Sequence, residues 1–182
     1  MSFPVFASGD VLNASDMNAV GLWKIASTTF SGSPGVEMQN CFSSDYRNYL
    51  VQVSYYGSGG TNTFIQYMTG TNTKDNAATY NRYGFYFLGG VTNLTATGQT
   101  AEFVTNHGTS SSNFSMATMT IFSPAVSGVH TNSSNQAWAA DSGLNVFLNS
   151  NKAATTAYTG LYFYPATATT ITGTITVYGM RN

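Results

Sequence analysis

Of the 182 residues in this chain, only 13 carry a formal charge, whereas Ser, Thr, Asn and Gly together make up more than two-fifths. Soluble domains usually place roughly a quarter of their residues in Asp, Glu, Lys and Arg. The net charge is −1 and the 6 basic residues are scattered singly, which excludes the clustered positive charge that binds nucleic acid.

The size and the apolar content indicate one folded domain. A chain of this length can bury one sizeable core, and its 12 Tyr, 12 Phe and 2 Trp argue against disorder. No stretch approaches the ~20 apolar residues of a membrane helix, so we expect no membrane insertion. Met1–Asp10 lacks the basic start and apolar run of a signal peptide, so secretory export is not expected.

The first 21 residues differ from the rest of the chain. Asn13 is a capping residue, Asp16 follows at the third helical position, and Gly21 is a stop signal. They predict a helix over residues 14–20, which must dock on another surface because isolated helices below ~12 residues are marginal. We therefore predict an attachment arm over residues 1–21 and a head domain over residues 22–182.

From Leu22 onward the dominant period is two, as in strands. Tyr49, Val51, Val53 and Tyr55 alternate with more polar residues. The predicted strands cover residues 49–56, 64–69, 83–88, 101–104, 114–122, 137–140, 144–148, 158–164 and 171–178. Nine or ten short strands with little helix predict an all-β fold, an antiparallel β-sandwich of jelly-roll type behind the arm.

Aromatic residues crowd the segment from Tyr80 to Phe87. Successive strand residues face opposite ways, so some of these rings must be exposed or covered by a neighbour. They either fill both sides of a sheet, make subunit contacts, or form a platform for a sugar. Tyr80, Tyr83, Tyr86 and Trp138 are the candidates for subunit or ligand contact, since Tyr and Trp are enriched at interfaces. The aromatic surplus predicts a homotrimer, and a host surface glycan is a possible ligand.

Signals for catalysis are weak. His107 and His130 lack a second ligand at metal-site spacing. A glycosidase pair could come from the seven carboxylates, Asp10, Asp16, Glu37, Asp45, Asp75, Glu102 and Asp141. Several of these lie beside turns or caps, where local hydrogen bonding explains them. We expect a protein that is not an enzyme, with no cofactor, no metal and no catalytic residue. The single cysteine, Cys41, rules out an internal disulfide and fits cytosolic synthesis.

Three segments carry a family resemblance. Residues 6–18, Phe-Ala-Ser-Gly-Asp-Val-Leu-Asn-Ala-Ser-Asp-Met-Asn, resemble the opening of tailed-bacteriophage virion proteins of the tail, fibre or minor structural type. Residues 42–49 and 173–179 resemble the first long strand and the last strand of the same group. The resemblance implies homotrimers with jelly-roll-like heads, an N-terminal arm for attachment and no cofactor.

These observations lead to one functional expectation and two alternatives. We expect a virion structural protein that binds other virion proteins of the tail or capsid through its arm and acts as a tail-fibre-type or host-surface-binding appendage. The candidate attachment residues are Phe6, Val11, Leu12, Met17 and Val20. A capsid decoration or cement protein is the alternative, and a polysaccharide-degrading enzyme is the more remote one. The expected location is the virion, after synthesis in the host cytoplasm and release by lysis.

Overall fold

The computed structural model describes residues 21–106, 109 and 113–180. The predicted helix over residues 14–20 lies outside this part, as do the five attachment candidates Phe6, Val11, Leu12, Met17 and Val20, and His107. The division into an arm and a head therefore stays a prediction.

The described residues form fourteen strands and no helix, so the predicted all-β class is confirmed. The strands are β1 Leu22–Ser33, β2 Val36–Met38, β3 Asn48–Gly57, β4 Asn62–Gly70, β5 Thr73–Lys74, β6 Tyr80–Phe87, β7 Val91–Asn93, β8 Ala96–Gln99, β9 Glu102–Asn106, β10 Ser115–Phe122, β11 Thr131–Ala139, β12 Leu144–Lys152, β13 Gly160–Pro165 and β14 Ile171–Met180.

Two antiparallel sheets form the sandwich. The large sheet has nine strands in the order β1-β14-β3-β10-β11-β12-β6-β7, with β8 also paired to β6. The small sheet has five strands in the order β2-β13-β4-β5, with β9 also paired to β4. In the large sheet β14 lies between β1 and β3, and in the small sheet β13 lies between β2 and β4. This interleaving gives the sandwich its jelly-roll character.

The core lies between the sheets and follows the predicted alternation. In β3, Tyr49, Val51, Val53 and Tyr55 are buried, while Gln52 faces solvent. In β14, the inward positions are buried and the threonines between them point outward. Threonine suits that outer face because its β-branch favours extended backbone while its hydroxyl binds water.

The structure contains more strands than the sequence predicted. β1, β2, β5, β7 and β8 were not predicted, and β11 begins six residues before the predicted start, at Thr131. β1 is an edge strand with irregular pairing between Lys24 and Ala26, which breaks its alternation.

No helix in the described residues is long and apolar enough to cross a bilayer.

Candidate functional site: the outer face of the large sheet

The outer face of the large sheet carries its side chains in rows that cross seven strands, from β6 through β12, β11, β10, β3 and β14 to β1. The pairing register aligns one row of Phe87, Asn145, Trp138, Met116, Ser54, Thr174 and Thr29. The next row is Phe85, Phe147, Gln136, Thr118, Gln52, Thr176 and Ser27. The third is Tyr83, Asn149, Ser134, Thr120, Leu50, Tyr178 and Lys24.

One end of this face is aromatic. The rings of Phe85, Phe87 and Phe147 contact one another, with centroid separations of 5.4 to 6.1 Å. Trp138 is 41% exposed and Met116 beside it is 52% exposed. Contiguous apolar surface of this kind marks interaction sites on soluble proteins.

Two shallow grooves adjoin in the middle of the face. The first has a volume of about 260 Å³ and is lined by side chains of β10, β11 and β12, namely Met116, Thr118, Gln136, Trp138, Asn145 and Phe147. The second has a volume of about 320 Å³ and is lined by Gln52, Ser54, Met116, Thr118, Thr174 and Thr176. Since they share Met116 and Thr118, we treat them as one trough. It crosses five strands, a span of roughly 19 Å at a strand spacing of ~4.8 Å.

The face is almost free of charge. In the three rows, Lys24 at the β1 edge is the only charged residue. At that edge the hydroxyls pair with one another, Ser27 with Thr176 at 2.9 Å and Thr29 with Thr174 at 3.3 Å. The side chains of Gln52 and Gln136 are exposed on this face and line the trough.

The structure separates the four sequence-predicted contact residues. Trp138 and Tyr83 lie on the outer face. The predicted contact role of Tyr80 is wrong, because Tyr80 is buried in the core. Its hydroxyl donates a hydrogen bond to the Asp75 carbonyl oxygen and accepts one from the Tyr67 backbone N–H. Tyr86 faces inward and packs against the core.

The remaining trough residues were not predicted as contact residues. Met116 and Thr118 lie in the predicted strand over residues 114–122, and Gln52 lies in the one over residues 49–56. Their β-alternation is a signal for outward orientation, but it does not indicate which strands lie side by side.

A buried carboxyl group occupies the core between the sheets. Glu102 is 2% exposed. The Tyr67 hydroxyl donates a 3.0 Å hydrogen bond to its Oε2, and the Ser133 hydroxyl binds its Oε1. Burial raises the pKa of Glu102 above its ordinary value, although these hydrogen bonds oppose the shift. No substrate can reach a side chain so deeply buried without the sheets separating.

A second ionisable group in the core is paired. Lys152 is fully buried, and its Nζ lies 2.9 Å from Oδ1 of Asp75 and 4.0 Å from the centre of the Tyr80 ring. The Tyr158 hydroxyl donates a 2.6 Å hydrogen bond to the other oxygen of Asp75. Burial alone would raise the pKa of Asp75, but the bonds from Tyr158 and Lys152 outweigh it and lower that pKa.

The other described carboxylates have local partners. Glu37 forms an ion pair with Lys74, Asp45 lies in a turn with Ser43, and Asp141 accepts hydrogen bonds from the side chains of Thr109 and Asn113. Among the residues described, no group of three or more His, Cys, Asp and Glu side chains could hold a metal ion. The described histidine, His130, lies next to Asn151.

Comparisons with known proteins assign no family. No family model matches the chain, and no curated protein matches it. Among solved structures, it has a likeness to the crystal structure of the marine PL-14 alginate lyase from Aplysia kurodai, at 8% identity and a TM-score of 0.26, over 76% of this chain and 72% of that one. At that TM-score the likeness carries no argument about fold or function.

Proposed function

We propose that this protein is a bacteriophage virion structural protein. Its arm over residues 1–21 attaches to other virion proteins, and its β-sandwich projects as a tail-fibre-type or host-surface-binding appendage. The outer face of the large sheet is the contact surface of that appendage.

The observation that carries the contact role is the composition of this face. Protein interfaces are depleted of charged residues at their centre and enriched in aromatic residues and Met. The outer face has both properties, with Lys24 as the single charge in its three rows and Trp138, Met116 and Phe147 exposed at one end. A surface of this kind serves contact better than it serves solubility.

The virion assignment rests on the sequence resemblance, and two of the resembling segments are neighbours in the fold. Residues 42–49 lead into β3 and residues 173–179 lie in β14, where Tyr49 pairs with Gly179. The Tyr46 ring lies directly against Gly179. Both segments therefore belong to one packed unit of the fold.

The placement of the described acids favours contact over catalysis. A general acid or base must reach the atoms of its substrate, but Glu102 is enclosed in the core. Asp75 is held by Lys152 and Tyr158. Both groups have partners inside the fold, which supports a protein that acts by binding.

Trimer formation is part of the same proposal. A weak contact on each head becomes a strong attachment when several linked copies bind one surface. Light scattering on the full chain should give three times the chain mass of 19.4 kDa. A mass equal to one chain would reject the trimer for the free protein.

The virion assignment can be tested with a labelled antibody against the sandwich. The antibody is applied to particles purified after lysis of the host that carries the gene. We expect label at the tail end of the particle. Label at regular positions over the shell would instead support a capsid decoration protein, and absence of the protein from purified particles would reject a virion role.

A further inference from the structure

The trough is lined by both apolar and polar side chains. Trp138 and Phe147 stand at its β11–β12 end, and Met116 separates that end from the rest. Its polar lining consists of the amides of Gln136 and Gln52 and the hydroxyls of neighbouring threonines. Each amide can donate two hydrogen bonds and accept others, and each hydroxyl can do both.

This lining selects the chemistry of an occupant. A nucleic acid would need several cations facing its phosphates, but the trough has none, and Lys24 lies at the β1 edge beyond it. An anionic polymer has the same requirement. A purely apolar partner would bury the Gln136 and Gln52 amides without hydrogen bonds, which is unfavourable.

We propose that the trough binds an uncharged glycan chain. The carbon–hydrogen faces of a sugar ring are apolar and suit the electron-rich faces of Trp138 and Phe147. The hydroxyls at the ring edges would bond to the amides of Gln136, Gln52 and Asn145. This inference rests on the proposed contact role of the outer face and names the partner of that face.

The shape of the trough suits a chain rather than a single sugar. It crosses five strands, so it runs roughly 19 Å across the sheet. It is shallow and open on the solvent side, so a polymer can lie along it without its ends having to enter a pocket. The site therefore recognises an internal stretch of the glycan.

The experiment uses the full chain on an array carrying uncharged and anionic glycans, followed by calorimetric titration of each glycan that binds. We expect one or more uncharged glycans to bind and the anionic ones not to bind. Trp138→Ala should weaken binding at least tenfold, and Gln136→Ala should weaken it several-fold. Phe122→Ala is the matched control, because Phe122 is 40% exposed on the same sheet face but lies outside the trough. It should leave affinity within twofold of the wild type.

Several results would overturn the proposal. They are binding of no uncharged glycan, tighter binding of anionic than of uncharged glycans, or equal affinity of Trp138→Ala and the wild type. Oligomers that Trp138→Ala dissociates, without any glycan binding, would instead assign the face to a second copy of the chain. Circular dichroism of each variant checks folding, and Gln136→Ala replaces Trp138→Ala as the decisive variant should the latter unfold.

The two proposals fail separately. Loss of glycan binding leaves the particle-labelling result unchanged. A protein that is absent from particles but binds a glycan through Trp138 would remove the virion role alone.

Discussion

The Tyr67 hydroxyl on β4 donates a hydrogen bond to Glu102 on the neighbouring strand β9, over a distance of 3.0 Å. Tyr67 lies on β4 of the small sheet, and the Ser133 hydroxyl that binds the other oxygen of Glu102 lies on β11 of the large sheet. The carboxyl group therefore ties the two sheets together. Because burial raises its pKa, the folded protein keeps this group protonated at pH values where the unfolded chain has released the proton.

Glu102→Gln should therefore stabilise the protein as the pH rises. Below the ordinary pKa of 4.5 both states of the wild type are protonated at Glu102. Above it, the unfolded state binds fewer protons than the folded state, so wild-type stability falls with pH until the folded-state pKa is passed. We expect the variant to melt above the wild type at pH 8, by about 2–4 °C for each kcal/mol gained, with the difference shrinking towards pH 4. We would reject this prediction if the melting temperature of the variant, minus that of the wild type, were smaller at pH 8 than at pH 4.

Asp75→Asn should have the opposite effect. It leaves the buried Lys152 ammonium without its anionic partner, and breaking a buried pair costs about 3–5 kcal/mol. Because the pKa of Asp75 is lowered, its contribution is present above the ordinary value of 3.8 and is lost as the pH falls through the folded-state pKa. The loss in the free energy of unfolding should therefore be largest near pH 7 and diminish in acid.

Glu37→Gln is the control for both variants, because the Glu37–Lys74 pair is partly exposed at the surface. Exposed pairs contribute about 0–1 kcal/mol. Urea unfolding at pH 7 should rank the loss from Asp75→Asn well above that from Glu37→Gln. Equal losses would mean that the buried pair contributes no more to the free energy of unfolding than the partly exposed pair.

Gly179→Ala should destabilise the junction of β3 and β14. A β-carbon at Gly179 would lie 2.5 Å from Cγ of Tyr46, so the ring or the strand would have to move. Overpacking of this kind costs about 1–3 kcal/mol. Gly70→Ala is the matched control, because a β-carbon there meets nothing within 4 Å. Thermal unfolding of the two variants should differ clearly, and equal melting temperatures would refute the close packing.

Cys41 should resist thiol reagents in the folded protein. It is 1% exposed, and burial raises its pKa to about 12. We expect negligible reaction with an aromatic disulfide at pH 8 and complete reaction after denaturation. Rapid stoichiometric reaction of the folded protein would contradict this placement.

The sequence predicted the long strands whose inner face is apolar along their whole length. β3 and β14 alternate apolar with polar residues, and both were predicted close to their observed bounds. The first half of β11 was missed because its inner face is polar. There Thr131, Ser133 and Asn135 are buried. Asn135 donates a 2.8 Å hydrogen bond to the Val104 carbonyl oxygen, a partner that hydrophobic periodicity cannot indicate.

The trough could not be predicted for a related reason. Its residues come from β14, β3, β10, β11 and β12, and only the strand order brings them together. Trp138 was recognised as a candidate from its residue type alone. Gln136 and Gln52 have no signal that distinguishes them from other polar strand positions, since their importance depends on neighbours from distant segments.

The central claim is that this protein binds a glycan without cleaving it. The most direct measurement is an overnight incubation of the full chain with each uncharged glycan that it binds, followed by assays of retained glycan and of new reducing ends. The account predicts retention by the wild type and Phe122→Ala, little retention by Trp138→Ala, and no new reducing ends. Reducing ends that increase in proportion to the amount of wild-type protein would contradict it.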